Sequence, residues 1–308
     1  MNAPAAMAAT PLALVTRRFL RHRLALISAG VLVVLAAASL LAPVVEGWLG
    51  LDANAVDLFN RLAAPSAAHP LGTDEAGRDV LLRLLYGGRV SLFVGIAAAL
   101  TAAVLGTTVG LLSGYFGGRL DALFMRLTDG VIALPLLPLL IVLAAIDLQK
   151  LGFSAEAAQA ESMSLYRIVV IVALVGWTTV ARLVRATALS LRERPFVLAA
   201  RAQGASSFRI MTVHILPNLA SPIIVATTLS VGNVILLESV LSFLGLGIQP
   251  PLPSWGNLLT NAQELIWDAP ALAVYPGLAI FVTVIAFNFV GDGLQDALDP
   301  RSLERGKR

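Results

Sequence analysis

The sequence predicts an all-α, polytopic membrane protein with six transmembrane helices and both termini on one side. Three observations predict it. Charged residues make up only 13% of the 308 residues and hydrophobic ones 57%, whereas an ordinary soluble domain is roughly a quarter charged. Uncharged apolar runs of the length a span needs, about 20 residues, recur along the chain. Lys and Arg are unevenly shared among the segments between those runs. Length alone would accommodate two soluble domains, but a mean hydropathy of +0.83 overrides that expectation.

Composition also excludes several kinds of chemistry. The chain has no cysteine, which removes disulfides, thiolate catalysis and cysteine metal sites. His22, His69 and His214 are far apart and lack ligand spacing, so no metal site is expected. The net charge of +3 fits basic flanks of membrane spans. Nucleic acid is not expected, because no basic platform interleaved with aromatics is present.

Residues 1–23 form a basic N-terminal segment, with Arg17, Arg18, Arg21 and Arg23 flanking the uncharged run 24–45, the first span. Small residues near the end of that run leave a cleaved signal peptide as an alternative. The length of the run and the long segment ahead of Arg17 argue against cleavage. Residues 46–89 are a mixed loop. A five-helix core is expected over 90–292. Its first helix, the second span, starts at residue 90 and ends near 115. The third span covers 130–146 and contains Pro135 and Pro138; it becomes long enough if it extends back to about 124, since neighbours can re-satisfy the backbone around membrane prolines. After a polar loop at 147–165, the fourth span centres on 168–181 between Arg167 and Arg182. The fifth covers 215–237 and the sixth 269–291. Between these two, "FLGLGIQPPLPSWGNLL" is uncharged but rich in Pro and Gly, and reads as a re-entrant or surface loop. Residues 293–308 form the C-terminal tail. The Ala-rich helices suit close packing in a membrane.

Positive charge orients the bundle. With the N-terminus inside, the inner segments hold 16 of the 22 Lys and Arg and the outer segments six. The bias predicts N-in, C-in and puts residues 186–217 in the cytoplasm.

That cytoplasmic segment contains "AARAQGASSFRIMTVHILPN", residues 199–218. Pro195 suits a helix first turn, Ala199, Ala200 and Ala202 are strong helix formers, and Gly204 provides a turn. Phe208, Ile210, Met211 and Ile215 form an apolar set leading into the fifth span. Two readings stand side by side: an ordinary amphipathic loop, or a docking element built from Ala199, Ala200, Arg201, Gly204, Ala205, Phe208 and Arg209 that enters a groove on a partner.

The pattern Ala199-Ala200-x-x-x-Gly204, followed by His214-x-Leu216-Pro217, resembles the "EAA" loop of ABC importer permeases. In that family the loop is a coupling helix that seats on the nucleotide-binding subunit. The family's glutamate would fall at position 198, where this chain has Leu198. "HPLGTDEAGRDVLLRLLYGGRVSL" at 69–92, "LSFLGLGIQPPLPSWGNLL" at 241–259 and "GDGLQDALDPR" at 291–301 resemble the peptide/nickel-type (dipeptide/oligopeptide) importer permeases, specifically the "C" member of the pair. The resemblance implies a type I ABC importer permease fold in the bacterial inner membrane. It also implies a second homologous permease subunit, two ABC ATPase subunits that bind ATP and Mg, and a periplasmic or lipid-anchored substrate-binding protein. It does not distinguish dipeptides, longer peptides, nickel chelates and opines as cargo.

Other polar residues have paired readings. Asp74, Glu75, Arg78 and Asp79 form either a solvated loop with surface ion pairs or a periplasmic scaffold that contacts the binding protein or gates the pathway. Asp292, Asp296 and Asp299 with Arg301 read as a helix-end cap plus an ion pair. Asn233, Glu238 and Asn288 are candidates to line a translocation path. An acid at membrane depth tends to face protein or a cavity, although Glu238 could also sit hydrated at the membrane edge and Asn288 could bond between helices.

No catalytic site is expected. The lysines, Lys150 and Lys307, do not follow the phosphate-binding pattern Gly-x-x-x-x-Gly-Lys-Ser/Thr, so ATP hydrolysis would come from separate subunits. The alternatives to a permease are a membrane scaffold or receptor and a secondary transporter. Copurifying ATPase subunits separate the permease from both, and coupling-ion dependence reveals the last.

Overall fold

The computed structural model describes residues 11–299, which contain no named β-strand. A short helix α1 (Pro11–Phe19) leads to α2 (Arg23–Leu40), whose first turn is capped by His22, accepting from the Ala25 N–H at 3.1 Å. Helix α3 (Ala42–Leu49) follows directly, with a proline in its first turn. After a long loop, Asp79 accepts the Leu82 N–H at 2.8 Å and so opens α4 (Val80–Phe116). This cap starts the helix ten residues before the uncharged run at 90. At 1.5 Å per residue α4 is about 55 Å long, well beyond a hydrocarbon core of about 30 Å.

The expected third span is corrected. No continuous helix covers 124–146; instead α5 (Gly118–Ala133) and α6 (Leu136–Ala144) meet at 90°. The proline ring at 135 crowds the residue before it out of the helical region, and Leu134 accordingly sits at ψ 139°. Among the described residues, five helices are long and apolar enough to cross a membrane, or six if this bent pair counts as one.

The short α7 (Ala155–Gln159) precedes α8 (Glu161–Leu191). Then come α9 (Pro195–Ala202) and α10 (Ser207–Arg209), and α10 runs through a π-helical stretch, Ile210–Ile215, into α11 (Leu216–Phe243). A folded loop containing α12 (Ala262–Leu265) connects to α13 (Ala271–Leu298).

Helices α4 and α8 run parallel and press backbone to backbone. Gly106, Gly110 and Gly114 recur every four residues, which places them on one face of α4. A β-carbon at Gly106 would stand 2.5 Å from the Trp177 carbonyl oxygen, one at Gly110 2.4 Å from that of Ala181, and one at Gly114 2.7 Å from the Ala188 β-carbon. Helix α11 packs on the same pair, with Ile235 and Val231 against Gly95. At the far end of α13, His22 lies 3.6 Å from Asp296 and Arg18 reaches the Ala297 carbonyl at 3.4 Å. The expected Arg301 partner lies outside the described residues.

Gly110→Ala should lower the thermal midpoint of the purified protein in detergent, since overpacking of a tight contact costs about 1–3 kcal/mol. Gly30→Ala in α2, where an added carbon meets nothing within 4 Å, should leave the midpoint unchanged or raised. Equal midpoints for both variants would contradict the packing.

Candidate functional site

The segment between α8 and α11 is a seated element. Arg194 is the N-cap residue and Pro195 occupies the first turn of α9. The helix stops after Ala202, and Gly204 takes φ +80°, a conformation L side chains adopt rarely. There the Ala205 N–H reaches back to the Ala200 carbonyl at 3.1 Å. Ser206 restarts the chain by accepting the Arg209 N–H at 3.3 Å.

One face of this element is anchored. Val197, Ile210, Met211, Ile215 and Leu219 are buried in a cluster with Leu111 and Tyr115 of α4 and Val180, Val184 and Ala188 of α8. Ala200 and Ala205 are half-buried and pack against that cluster, so part of each faces its own chain. The other face is open. Phe196, Leu198 (45% exposed) and Phe208 (72% exposed) project outward, alongside the exposed Ala199, Ala202, Gly204 and Arg209. Arg201 is exposed and its guanidinium lies 5.8 Å from the centre of the Tyr115 ring. The sequence reading missed Phe196, which an i, i+2 comparison with Leu198 around the buried Val197 does not flag on a helix.

Beneath the anchored face the ends of α4, α5 and α8 are clamped by charge. Arg185 pairs with Asp121 through two nitrogens, at 2.5 and 2.6 Å, and Ser113 also donates to Asp121. Arg192 donates to the Gly114 and Tyr115 carbonyls at 3.3 and 3.4 Å, which are end-of-helix acceptors with no partner inside α4.

The three polar candidates in the spans separate. Asn233 faces a cleft of about 470 Å³ bounded by α4, α5, α6, α8 and α11, where Thr178, Thr179 and Ser230 supply the other polar groups. Thr178 and Ser230 spend their hydroxyls on their own helices, whereas the Asn233 amide has no hydrogen-bond partner among the described residues. Asn288 donates to the Val284 carbonyl of its own helix at 3.0 Å and does not line this cleft. Glu238 takes the protein-facing alternative. It is wholly buried and accepts from Ser242 at 2.7 Å and Ser91 at 3.1 Å, so it lines no open path in this conformation. Ser91 in turn accepts the Trp255 N–H at 3.1 Å, Trp255 donates its ring N–H to the Leu84 carbonyl at 3.0 Å, and Ser242 accepts the Ile248 N–H at 3.0 Å. The carboxyl therefore fastens the loop 244–261 onto α4 and α11.

The acidic motif is likewise a framework. Asp74 accepts the backbone N–H groups of Ala76 and Arg78 at 2.8 and 2.9 Å and the Arg78 side chain at 2.8 Å. Glu75 lies 3.9 Å from Arg78. Buried Arg83 lies 3.4 Å from Asp74, and Asp79 both caps α4 and meets the His69 ring at 3.0 Å. Among the described residues no cluster of three or more His, Asp or Glu is placed to hold a metal ion.

A family profile described as binding-protein-dependent transport system inner membrane component matches residues 106–304, and one for the N-terminal TM domain of oligopeptide transport permease C matches 10–65. The dipeptide transport system permease protein DppC of Alkalihalophilus pseudofirmus is 44% identical over 79% of this chain and 75% of its own length. The glutathione transport system permease protein GsiD of Pectobacterium atrosepticum is 40% identical over 92% of this chain and 89% of its own. A putative peptide permease of Brucella suis is 40% identical over 95% and 92%. Among solved structures, a chain of the inward-facing MetNI methionine ABC transporter matches with a TM-score of 0.55 at 18% identity, covering 70% of this chain and 96% of that one. At that identity the likeness is one of fold.

Glu238→Leu should leave the Ser91 and Ser242 hydroxyls without their acceptor, at about 1–3 kcal/mol for each unmet buried group. Limited proteolysis within 244–261 should accelerate, and less so for Glu238→Gln, which keeps an acceptor oxygen. Unchanged cleavage in the leucine variant would show that the carboxyl does not hold the loop.

Proposed function

The chain belongs to the family of binding-protein-dependent transport system inner membrane components, and on that premise we propose that it forms half of a peptide-translocating pathway whose outward α9–α10 face docks on an ATPase subunit. It is a multi-pass inner-membrane permease and not an enzyme in its own right. ATP and Mg would be bound by two separate ATPase subunits. A second homologous permease completes the pathway, and a periplasmic or lipid-anchored substrate-binding protein delivers the solute. The relatives named for dipeptides, glutathione and peptides support that substrate class.

The orientation is N-in, C-in, on the 16-to-6 bias of basic residues. The parallel course of α4 and α8 supports placing both termini on one side, because the intervening bent pair α5–α6 must return the chain to the side from which α4 began; the charge bias alone chooses the inside. Residues 195–209 then face the cytoplasm. The observation that carries the docking assignment is the two-faced build of this element: a buried anchor of Val197, Ile210, Met211 and Ile215 under an open face with Phe196, Leu198 and Phe208. Exposed apolar side chains on a short anchored helix fit a groove in a partner. Leu198 extends that apolar surface where the family pattern has a glutamate. Mechanistically, closure of the ATPase pair pushes on α9. Because Val197 of α9 packs with the π-helical stretch into one buried cluster with residues of α4, α8 and α11, the push turns those helices together and alternates access to the cleft around Asn233.

Gly204→Pro cannot keep φ +80°, because the proline ring fixes φ near −65°. It should insert in the membrane normally yet lose most transport-coupled ATP hydrolysis in the assembled complex. Leu198→Glu would bury an unpaired carboxylate in an apolar groove, at about 1–3 kcal/mol or more, and should weaken copurification of the ATPase subunits about tenfold. If both variants assemble and couple like the wild type, the segment is only a loop.

A further inference from the structure

We propose that the pocket around Arg167 is a carboxylate-binding subsite for the transported solute, at the end of α8 that the orientation above places outside. The proposal rests on the peptide-permease reading and adds a specific recognition group to it.

The pocket has a volume of about 450 Å³ and is built from three separate stretches of chain. Ala158 and Ala160 come from the segment before α8, Met163 and Arg167 from the first turns of α8, and Gln249 and Pro250 from the loop that Glu238 fastens down. That volume lies inside the range of roughly 300–1,000 Å³ typical of small-molecule sites. Of the three arginines in α8, Arg182 pairs with Asp129 and Arg185 with Asp121. Arg167 has no acid partner among the described residues, and its Nε is buried without a hydrogen bond. A guanidinium offers five donors in a planar fork that matches a carboxylate bidentately, and a buried donor left unmet is costly. The Nε itself is closed off, so an incoming carboxylate meets the fork through its terminal nitrogens, which make no hydrogen bond among the described residues.

The neighbours fit the rest of a peptide end. Gln249 spends its Nε2 on the Gly245 and Gly247 carbonyls, at 2.9 and 3.3 Å, so what it offers a guest is its Oε1, an acceptor for a peptide N–H. Met163 and Pro250 supply apolar walls. A pocket of this volume suits a small solute better than a single acidic side chain from a docking protein, which would fill only a corner of it.

The test uses the assembled transporter and the natural lack of cysteine. A single cysteine, Ala160→Cys, is placed at the exposed edge of the pocket, and its modification by a small uncharged maleimide is followed. N-acetyl-alanyl-alanine at millimolar concentration should slow the reaction several-fold, and its C-terminal amide should not. Arg167→Gln should abolish the protection in a complex that still assembles, and Arg167→Lys should keep part of it. Equal protection by acid and amide, or protection that persists in Arg167→Gln, would overturn the subsite. Protection by solute-free binding protein but not by the peptide would also overturn it, assigning Arg167 to a protein contact. Peptide uptake measured in parallel separates the two levels. Protection without uptake supports the subsite and removes the peptide reading, whereas uptake without protection removes the subsite alone.

Discussion

Two parallel helices, α4 and α8, approach so closely that a single methyl group along their seam would strike a backbone carbonyl. Lipid tails are as apolar as leucine, so no hydrophobic drive brings helices together in a bilayer; close van der Waals packing of small residues does. Gly106, Gly110 and Gly114 supply that packing from α4, and Ala181 and Ala188 answer it from α8. Helices α2, α5, α6 and α11 pack against one or both of this pair, and α13 packs in turn on α11 and α2. Helix α11 lies on it through Val231 and Ile235. At one end Tyr115, Val184 and Ala188 receive the anchor of α9, and at the other Ser91 and Leu84 hold the loop carrying Trp255.

This arrangement explains how a short surface helix can act on a distant cleft. Val197 and Ile210 are wholly or almost wholly buried, so α9 is not a flexible strap. Interiors packed at such density transmit displacement instead of absorbing it. The Arg185–Asp121 pair, the Ser113 bond and the Arg192 contacts to the end of α4 tie the same helices together beneath α9. In the proposed coupling, a push on Leu198 or Phe208 would reach Thr178, Thr179 and Asn233 through whole helices.

Much of this was readable from composition and pattern. Uncharged runs located the five long apolar helices but not the break between α5 and α6, and Gly204 marked the turn where the chain takes a positive φ. What was hidden needed partners distant in sequence. An acid at position 238 was expected to face either a path or protein, and only the fold brings Ser91, 147 positions away, against it. The glycine stripe has a regular spacing, yet its meaning depends on which helix lies opposite. Asp79 stood in a polar loop and gave no sign that α4 begins there. Pro135 is visible in the sequence, but membrane helices often tolerate proline, so its effect on Leu134 does not show until the fold is known. Arg167 read as an ordinary basic flank, and only the folding of the 244–261 loop over it reveals a pocket.

The central claim is that residues 195–209 lie on the cytoplasmic side and meet an ATPase. The most direct measurement places one cysteine, Ser206→Cys, in this cysteine-free chain beside the exposed Phe208. In intact cells it should resist an impermeant thiol reagent. In inverted vesicles a short thiol-to-amine cross-linker should join it to the ATPase subunit. Ready labelling from outside, or cross-links to other partners with none to the ATPase, would contradict the account.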